Sequence, residues 1–545
     1  MDASTRFTTE IVGALPVISN YLERLQLAKT VDELVPWQGE VPLGTIVEIM
    51  VTNRLLNPKA LFRLDEWAQQ AGLAAYYGLE PGQLNDDRLG RALERLPAHA
   101  ERVQAGLVVQ SVKKFKLNVS QIHYDITSVE LFGAYEIETK DGQPPPTPLP
   151  TYGRTKSGRK NVKQVQLGVN VTGDGGVPVG HAALDGNTAE STTHLDNLRR
   201  LRATLPKKWE LYIADTKLDT PEHLLAVAES NGKFLCGGAF TVDLQALFLK
   251  HRKQLHPVAY WPKSQEQRAP QERDQYQAFE LPHRVEGTHA GRKKALDYRL
   301  LFVWSEAKER QEAATRERHM AKIQEEFETI TRNLNKYSLK TEAAVVRRLE
   351  AIRGKYAEGK LFTYRLTTKR SGALELHWEI DAKALKEWQL LEGVFVLKTN
   401  LSKRSCPLQR VLRKYKEQSQ VERRIHHLKG PLAVTPMFLE KPERIAGLLC
   451  ILVWALMVLA LIERQVRRSL KGKPMYGLYP ENRPSPAPTG PALLQCFSTL
   501  CIVIVKHHGK TSRRLGQPDE VQTRLLVLLG IPPDVLRTFK RRCGM

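Results

Sequence analysis

A run of uncharged, mostly apolar residues toward the end of the chain constrains the fold most. Residues 445–461 read IAGLLCILVWALMVLAL, which approaches the roughly 20 residues of a membrane-spanning helix. The run is slightly short for that purpose and stands alone in a polar chain. Charged residues bracket it closely: Glu443, Arg444, Glu463 and Arg464. A helix buried in a large core is therefore favoured, with a membrane anchor as the alternative.

The net charge of the chain points to a polyanionic partner. Its 545 residues include 82 Lys and Arg against 59 Asp and Glu, a formal charge of +23. Nucleic acid is the commonest polyanion inside a cell, although charge alone specifies neither the polyanion nor any chemistry. A basic enzyme unrelated to nucleic acids is the alternative. The length predicts several structural units, because one hydrophobic core does not serve so long a chain.

Cysteine usage and the opening residues bear on the cellular compartment. Six scattered cysteines form no CxxC pair and no Cys/His array, so neither a zinc finger nor a disulfide framework is expected. The opening residues, MDASTRFTTE, contain no basic segment followed by an apolar run, so no secretory signal is expected. These features predict a reducing, cytoplasmic setting.

The apolar periodicity changes from helical to strand-like near residue 118. Three earlier segments have helical spacing and predict a helical N-terminal module: 18–27, 43–56 and 87–96. Alternating segments then predict strands at 122–127, 165–171, 177–183, 210–214 and 233–236, with helices separating the last three. This order predicts a mixed α/β sheet of the ribonuclease H-like kind. A densely charged, helix-favouring segment at 305–360 predicts an inserted domain.

Two aspartates fall where strands of this sheet could present them. Asp125 lies inside HYDITSV, where a charged residue in a core strand is costly unless it is paired or binds a metal ion. Asp215 follows WELYIA, and ligand-binding groups collect at the carboxyl ends of strands in α/β sheets. Either residue taken alone could equally be a salt-bridged or capping aspartate.

A third carboxylate comes from KYKEQSQVERRIHHLKG. Tyr415, Glu422 and Lys429 are each seven residues apart, so a continuous helix would present all three on one face. Such a stripe could hold a metal ion and touch phosphates beside it, and a coincidental spacing on an exposed helix is the alternative. Phosphodiester chemistry with two divalent ions needs carboxylates from several different elements of this kind.

Together these features resemble a known family. The insertion-sequence transposases of the Asp-Asp-Glu type include a group with the signature Y-x2-R-x3-E-x6-K, and Tyr415, Glu422 and Lys429 have the corresponding spacing. Gln418 stands where the signature has arginine. Four further segments resemble those of the group: NDDRLGRALERL, DGNTAESTT, GVFVLKTN and VERRIHHLKG. The resemblance covers residues 13–464.

The resemblance implies a DNA transposase. Its fold would be α/β, with a ribonuclease H-like catalytic core interrupted by a β-rich and helical insertion domain and preceded by a helical N-terminal domain. Asp125, Asp215 and Glu422 would be the catalytic residues and would hold two Mg²⁺ or Mn²⁺ ions. The expected partners are double-stranded DNA, as terminal inverted repeats and as target, and a second copy of the chain when two ends are paired. No membrane partner is expected.

The resemblance also implies contacts to DNA phosphates. Tyr415 and Lys429 would make them near the cleaved end, and Lys416, Arg423 or Arg424 would compensate for the missing arginine at position 418. A separate basic cluster in one loop is a further candidate for a backbone contact: Arg154, Lys156, Arg159, Lys160 and Lys163. A solvated basic loop is the alternative for that cluster.

The expected domains follow these boundaries. Residues 1–112 form the helical N-terminal domain, 113–239 and 385–475 the two parts of the core, and 240–384 the insertion. Residues 476–545 are expected to be a proline-rich linker and a basic tail. Two other functions remain open: a related DNA nuclease without strand transfer, and an inactive, transposase-derived DNA-binding protein.

Overall fold

The computed structural model describes most of the chain and divides it into two compact units. The described residues are 5–135, 148–153, 158–159, 161–205, 209–262, 265, 268–289, 291–434, 437–507, 510–532, 535–536 and 539. The first unit is Met1–Phe234 with Lys416–Met545, and the second is Leu235–Tyr415.

The described strands and helices confirm a mixed α/β protein. The strands are β1 (Thr5–Ile11), β2 (Gln121–Glu130), β3 (Thr151–Tyr152), β4 (Lys163–Thr172), β5 (Pro178–Leu184), β6 (Leu211–Ala214), β7 (Lys233–Gly238), β8 (His256–Pro257), β9 (Tyr276–His289), β10 (Arg292–Ser305), β11 (Phe362–Thr368), β12 (Leu374–Ile380), β13 (Val394–Thr399), β14 (Cys501–His507) and β15 (Lys510–Leu515). The helices are α1 (Leu15–Leu25), α2 (Leu27–Leu34), α3 (Leu43–Leu56), α4 (Leu64–Gln70), α5 (Leu73–Tyr77), α6 (Asp86–Arg95), α7 (Ala100–Phe115), α8 (His194–Thr204), α9 (Pro221–Glu229), α10 (Val242–His251), α11 (Glu306–Arg332), α12 (Glu342–Lys355), α13 (Ala382–Leu391), α14 (Leu408–Lys416), α15 (Ser419–Lys429), α16 (Pro442–Leu470), α17 (Gly490–Gln495) and α18 (Glu520–Leu528).

The central sheet of the first unit follows the predicted order of strands. β2, β4 and β5 are consecutive antiparallel neighbours, and β6 pairs with β2 in parallel after the α8 crossover. The valine-rich alternation of β4 buries Val165, Leu167 and Val169 completely, as a strand covered on its faces requires. The predicted segments at 122–127, 165–171, 177–183 and 210–214 are thus confirmed as strands.

The apolar run forms the middle of α16, and its most apolar window is entirely buried inside the protein. The helix packs against α3, α6, β5 and α15. Gly447 permits the closest of these approaches, because a Cβ atom there would lie 2.2 Å from the carbonyl oxygen of Leu93. The burial agrees with a core helix, which was favoured over a membrane anchor.

The polar end of α16 carries a buried network of charges. Glu463 is 1% exposed and accepts from Arg424, which is 2% exposed, at 3.1 Å. Arg467 lies 2.8 Å from the same carboxylate, and the N–H of Gly490 donates to it at 2.9 Å. The next residue, Arg464, donates to the carbonyl of Phe115 at 3.0 Å and pairs with a carboxylate of the β4–β5 turn. The end of α16 therefore joins segments that are distant in sequence.

The two ends of the chain meet in a small sheet that the sequence did not predict. β14 pairs antiparallel with β1 on one side and with β15 on the other. Ile502, Ile504 and Leu515 are buried beneath it. The expected all-helical beginning of the chain therefore includes a strand, and the expected tail includes the strands Cys501–His507 and Lys510–Leu515. A seven-residue strand whose partner lies almost 500 residues away leaves little local signal.

The second unit contains its own sheet and a helical pair. From Leu235 onward β7 pairs with β13, and the order continues through β10 and β9 to β8. A separate hairpin, β11–β12, packs with α11 and α12 around Phe327 and Phe362. The charged segment at 305–360 is helical as predicted, and its buried residues recur at helical spacing along one side of α11.

The Glu463 network makes a testable prediction about stability. Replacing Glu463 with Gln leaves Arg424 buried without its counter-charge, so the free energy of unfolding would fall by about 3–5 kcal/mol. The matched control is Glu33→Gln, which breaks an exposed pair with Lys29 and would cost less than about 1 kcal/mol. Urea denaturation of the full chain measures both changes.

The pH dependence follows from the same contacts. Burial alone would raise the pKa of Glu463, but Arg424, Arg467 and the Gly490 N–H lower it below its ordinary value. A carboxyl with a depressed pKa stabilises the fold above its unfolded pKa, and that stability is lost as the pH falls. The difference between wild type and Glu463→Gln would therefore shrink at acidic pH. A difference that is constant with pH would contradict the assignment.

Candidate active site

Three polar side chains share one face of β2. Gln121, His123 and Asp125 alternate with apolar and aromatic residues along the strand. Gln121 and His123 are buried, whereas Asp125 is half-buried, and its Oδ1 accepts from the N–H of Ile126 at 2.8 Å. Asp125 is thus the residue of this face that solvent and a ligand can reach.

Asp215 follows β6, the strand that pairs in parallel with β2. In this parallel pair the last paired residues are His123 and Ile213, and Asp125 and Asp215 each follow two residues later. Adjacent strands are about 4.8 Å apart, and opposite residues share a face. Asp215 follows the last residue of β6, has an extended backbone, and its carboxylate accepts from the N–H of Lys217 at 2.9 Å. The two aspartates therefore follow the paired part of β2 and β6 at the same end.

Glu422 stands in the first turn of α15 and is exposed. The sequence analysis expected one helix carrying Tyr415, Glu422 and Lys429 on a single face, and this expectation was wrong. The helix is interrupted at Glu417 and Gln418, so Tyr415 belongs to α14 whereas the other two belong to α15. Tyr415 stacks on Phe395 with ring centroids 6.4 Å apart.

The interruption has a physical cause that local sequence does not reveal. The side chains of both residues at the break bond to β2: the carboxylate of Glu417 accepts from Gln121 at 2.8 Å, and Gln418 contacts His123 at 2.9 Å. α15 packs against β2 and β4. The sequence analysis did not assign Gln121 or His123 to the site, although their alternation with Asp125 was the available signal.

The predicted phosphate-contacting residues differ in exposure. Lys429 ends α15 and is exposed, and Arg423 is 39% exposed and lies 3.6 Å from Glu463. The guanidinium of Arg424 is instead directed inward, where it donates to the carbonyls of Gly175 and Gly176 and to Glu463. Arg424 therefore holds the β4–β5 turn and is not accessible to a ligand.

Of the basic loop cluster, the structure describes only part. Arg159 pairs with Glu130 at 3.3 Å, and Lys163 donates to the carbonyls of Ala134 and Tyr135. Arg154, Lys156 and Lys160 lie outside the described residues.

The opposite face of β2 and β6 is fixed by buried hydrogen bonds. Tyr124 donates to Thr193 at 3.1 Å, and the hydroxyl of Tyr212 accepts from Asn197 at 2.9 Å and lies 3.2 Å from His194. Burial raises the pKa of Tyr124 to about 12 and lowers that of His194 to about 3. Both groups are therefore neutral at pH 7 and join α8 to the strands that carry the aspartates.

The donor chemistry of the two aspartates fits a hard divalent cation, which takes oxygen ligands. Within the described parts of the chain, no three His, Cys, Asp or Glu side chains lie together as a ready-made set of metal ligands. Asp125 and Asp215 follow the paired ends of β2 and β6, and Glu422 lies on α15.

Comparison with known proteins now identifies the family. Residues 140–458, more than half of the chain, match the family described as the transposase DDE domain. The chain belongs to this family. It is therefore a DDE-type transposase, as the sequence resemblance indicated. The matched region of the transposase contains Asp215 and Glu422. Asp125 lies before that region, so the family match does not cover it.

Two further comparisons add little to the assignment of this transposase. Residues 7–105 match a domain of unknown function, DUF4277. A cryo-EM structure of the piggyBac transposase synaptic complex with hairpin DNA is 6% identical, with a TM-score of 0.36 over 98% of this chain and 87% of that chain. That likeness is too small to define the fold. No curated protein matches the sequence.

Proposed function

We propose that this transposase binds the terminal inverted repeats of an insertion element, cleaves the ends and joins the freed 3′-hydroxyls to target DNA. The observation that supports the proposal is the parallel pairing of β2 with β6, since Asp125 and Asp215 each follow its last pair by two residues in a chain of the DDE family. Hydrolysis of the phosphodiester would release a 3′-hydroxyl, which would then attack a target phosphate in line and displace the target's own 3′-oxygen.

The proposed catalytic core is ribonuclease H-like. Its support is the sequence of three antiparallel strands followed by a parallel strand after a helix. We propose residues 113–239 and 385–475 as the two parts of this core, 240–384 as the insertion, and 1–112 and 476–545 as flanking regions. A cytoplasmic location and a dimer in the end-paired complex belong to the same proposal.

Asp125, Asp215 and Glu422 are the proposed ligands of two Mg²⁺ or Mn²⁺ ions. Carboxylates from two adjacent strands and one helix supply the oxygen ligands that these ions prefer. Divalent ions held there would neutralise charge on the scissile phosphate and on its entering and leaving oxygens. The polar contacts of α15 with β2 keep the helix that bears Glu422 beside the strand that bears Asp125.

Tyr415, Lys429 and Arg423 are the proposed phosphate contacts near the cleaved end. Arg424, an earlier candidate, is left out because its guanidinium is buried and bonded to Glu463 and to backbone carbonyls. The hydroxyl of Tyr415 and the terminal position of Lys429 suit contacts with DNA phosphates.

A second DNA contact is proposed for the long hairpin of β9 and β10. The two strands pair from Arg292 opposite His289 to Tyr298 opposite His283. Among the described residues, β13 and β8 pair only with the parts of the hairpin nearer its base. The result is a two-stranded ribbon about 20 Å long. An isolated ribbon of this kind is marginally stable in water, and its width suits the major groove of DNA.

The two faces of this ribbon differ in charge. One face carries both acids, Glu286 and Asp297, with Arg284 only 3.3 Å from Asp297. Among its described residues the other face has no acidic side chain, and it includes Val285, His289, Arg292, Lys294 and Leu296. Basic side chains attract phosphates, so the face that carries Arg292 and Lys294 is the one proposed to meet DNA.

The catalytic assignment makes a direct prediction. Asp125→Asn, Asp215→Asn and Glu422→Gln would each reduce cleavage of end-containing DNA by about 100-fold or more, because each removes a charged oxygen ligand. Binding of the same DNA would persist. Asp196→Asn is the matched control, since this exposed carboxylate pairs only with neighbouring Arg199 in the described contacts, and its variant would cleave at the wild-type rate.

Isothermal titration calorimetry with Mn²⁺ gives a readout independent of cleavage. Asp125→Asn and Asp215→Asn would weaken Mn²⁺ binding, whereas Asp196→Asn would not. Undiminished cleavage by Asp125→Asn would refute the site, whereas no cleavage by the wild-type protein would favour an inactive, transposase-derived DNA-binding protein. Cleavage without any joining to target DNA would favour the nuclease.

The ribbon makes a second prediction. Lys294→Ala would weaken binding to end-containing DNA and lower the slope of log affinity against log salt by about 0.9, the value of one phosphate contact. The control is Lys293→Ala, one residue away on the opposite face of the same strand. Fluorescence anisotropy between 50 and 200 mM salt measures both. Equal effects of the two variants would rule out a face-specific contact.

A further inference from the structure

The residue that departs from the family signature makes two polar contacts with β2 at the start of α15. Gln418 precedes the first residue of α15. Its amide nitrogen donates to the carbonyl oxygen of Tyr124 at 3.1 Å, and its amide oxygen lies 2.9 Å from Nδ1 of His123. Both polar atoms of this side chain are thus directed to the strand that carries Asp125.

The protonation of His123 follows from these partners. A carbonyl oxygen only accepts, so the Gln418 nitrogen faces Tyr124 and the Gln418 oxygen faces the imidazole. Nδ1 of His123 therefore carries the proton and donates. Nε2 then accepts from Gln121, whose amide nitrogen is 2.9 Å away and also donates to Glu417 at 2.8 Å. His123 is fully buried, so this arrangement satisfies both of its nitrogens without water.

The same contacts relate two of the proposed metal ligands. His123 and Asp125 are two residues apart on β2 and share a face, and Tyr124 is the residue between them. Gln418 and Glu422 are four residues apart, one turn of helix, and lie on the same side of it. A helix start fixed at Gln418 therefore fixes the direction in which Glu422 projects relative to Asp125.

We propose that Gln418 is a positioning residue, which acts through His123 and the Tyr124 carbonyl to orient Glu422 toward Asp125. It does not bind DNA phosphate, which is the role that the family signature gives to arginine at this position. The inference rests on the proposed function, since it concerns the same carboxylates.

Arginine could not make these contacts in this chain. A guanidinium offers only donors, whereas the Nδ1–H of His123 requires an acceptor. Placing Arg at position 418 would set two donors against each other in a buried place, and a buried donor without an acceptor is costly. Gln418 thus supplies the acceptor that the Nδ1–H of His123 requires, and the signature arginine would not supply one.

The test separates the cleavage step from DNA binding in the full-length protein. Gln418→Met keeps the side-chain volume and removes both hydrogen bonds, and Gln418→Arg restores the signature residue. Single-turnover cleavage at saturating DNA would slow about 10- to 100-fold in both variants, since small displacements of reacting groups cost about that much. The dissociation constant for end-containing DNA and its salt slope would stay at wild-type values.

The control is Gln420→Ala, which removes another hydrogen bond from α15 to the sheet, the 3.1 Å contact with the Gly173 carbonyl. This variant would change stability in thermal unfolding but leave the cleavage rate within about 3-fold of wild type. If Gln420→Ala slowed cleavage as much as Gln418→Met, the effect would come from general loosening of α15, and the proposal would fail.

Two other results would overturn the proposal. A lower salt slope and weaker DNA binding in Gln418→Met, with normal cleavage at saturation, would make Gln418 a phosphate contact. Wild-type or faster cleavage by Gln418→Arg would show that position 418 accepts the signature residue. Failure of the proposed function itself looks different, because Asp125→Asn would then cleave like wild type.

Discussion

The structure of the first unit depends on one buried ion pair, between Glu463 at the end of α16 and Arg424 on α15. The apolar part of α16 supplies the hydrophobic core, but its burial is non-directional and would tolerate sliding of the helix. The ion pair is directional. Because Arg424 also holds the carbonyls of the β4–β5 turn, it fixes the helix bearing Glu422 against both the core helix and the central sheet. A buried pair of this kind defines one arrangement, although its net contribution to stability is small compared with the cost of breaking it.

The second constraint is that the two faces of β2 contact different parts of the protein. One face carries Gln121, His123 and Asp125. Glu417 and Gln418, just before α15, contact Gln121 and His123 on this face. The other face carries Tyr124, which is bonded to Thr193 beneath α8. The strand is thus held from both sides while Asp125 remains half-buried and accessible. Side chains whose positions are fixed by packing and hydrogen bonds need little reorganisation during a reaction, and this is the physical basis for assigning chemistry to the end of this strand pair.

Sequence patterns predicted the parts of the fold that local physics decides. The alternation of apolar and polar residues predicted β2, β4 and β5, and the short connections between them predicted their order. The apolar composition of residues 445–461 predicted the burial of α16. Three features depended on distant partners. The α14–α15 break lies in a segment without Gly or Pro, and tertiary hydrogen bonds of Glu417 and Gln418 accompany it. Arg424 points inward because its guanidinium donates to Glu463, which lies 39 residues later in the chain. The β1–β14 pairing joins the ends of the chain. The two aspartates were predicted from their places on strands, whereas the parallel pairing of those strands needed the structure.

The central claim is that Asp125 and Asp215 form one cation site to which Glu422 contributes. Anomalous diffraction at the manganese edge, from crystals of the full-length transposase with end-containing DNA and Mn²⁺, tests it most directly. The account predicts anomalous density between the carboxylates of Asp125 and Asp215, with Glu422 as a further ligand. Density only at other residues, or none at an Mn²⁺ concentration that supports DNA cleavage, would contradict it.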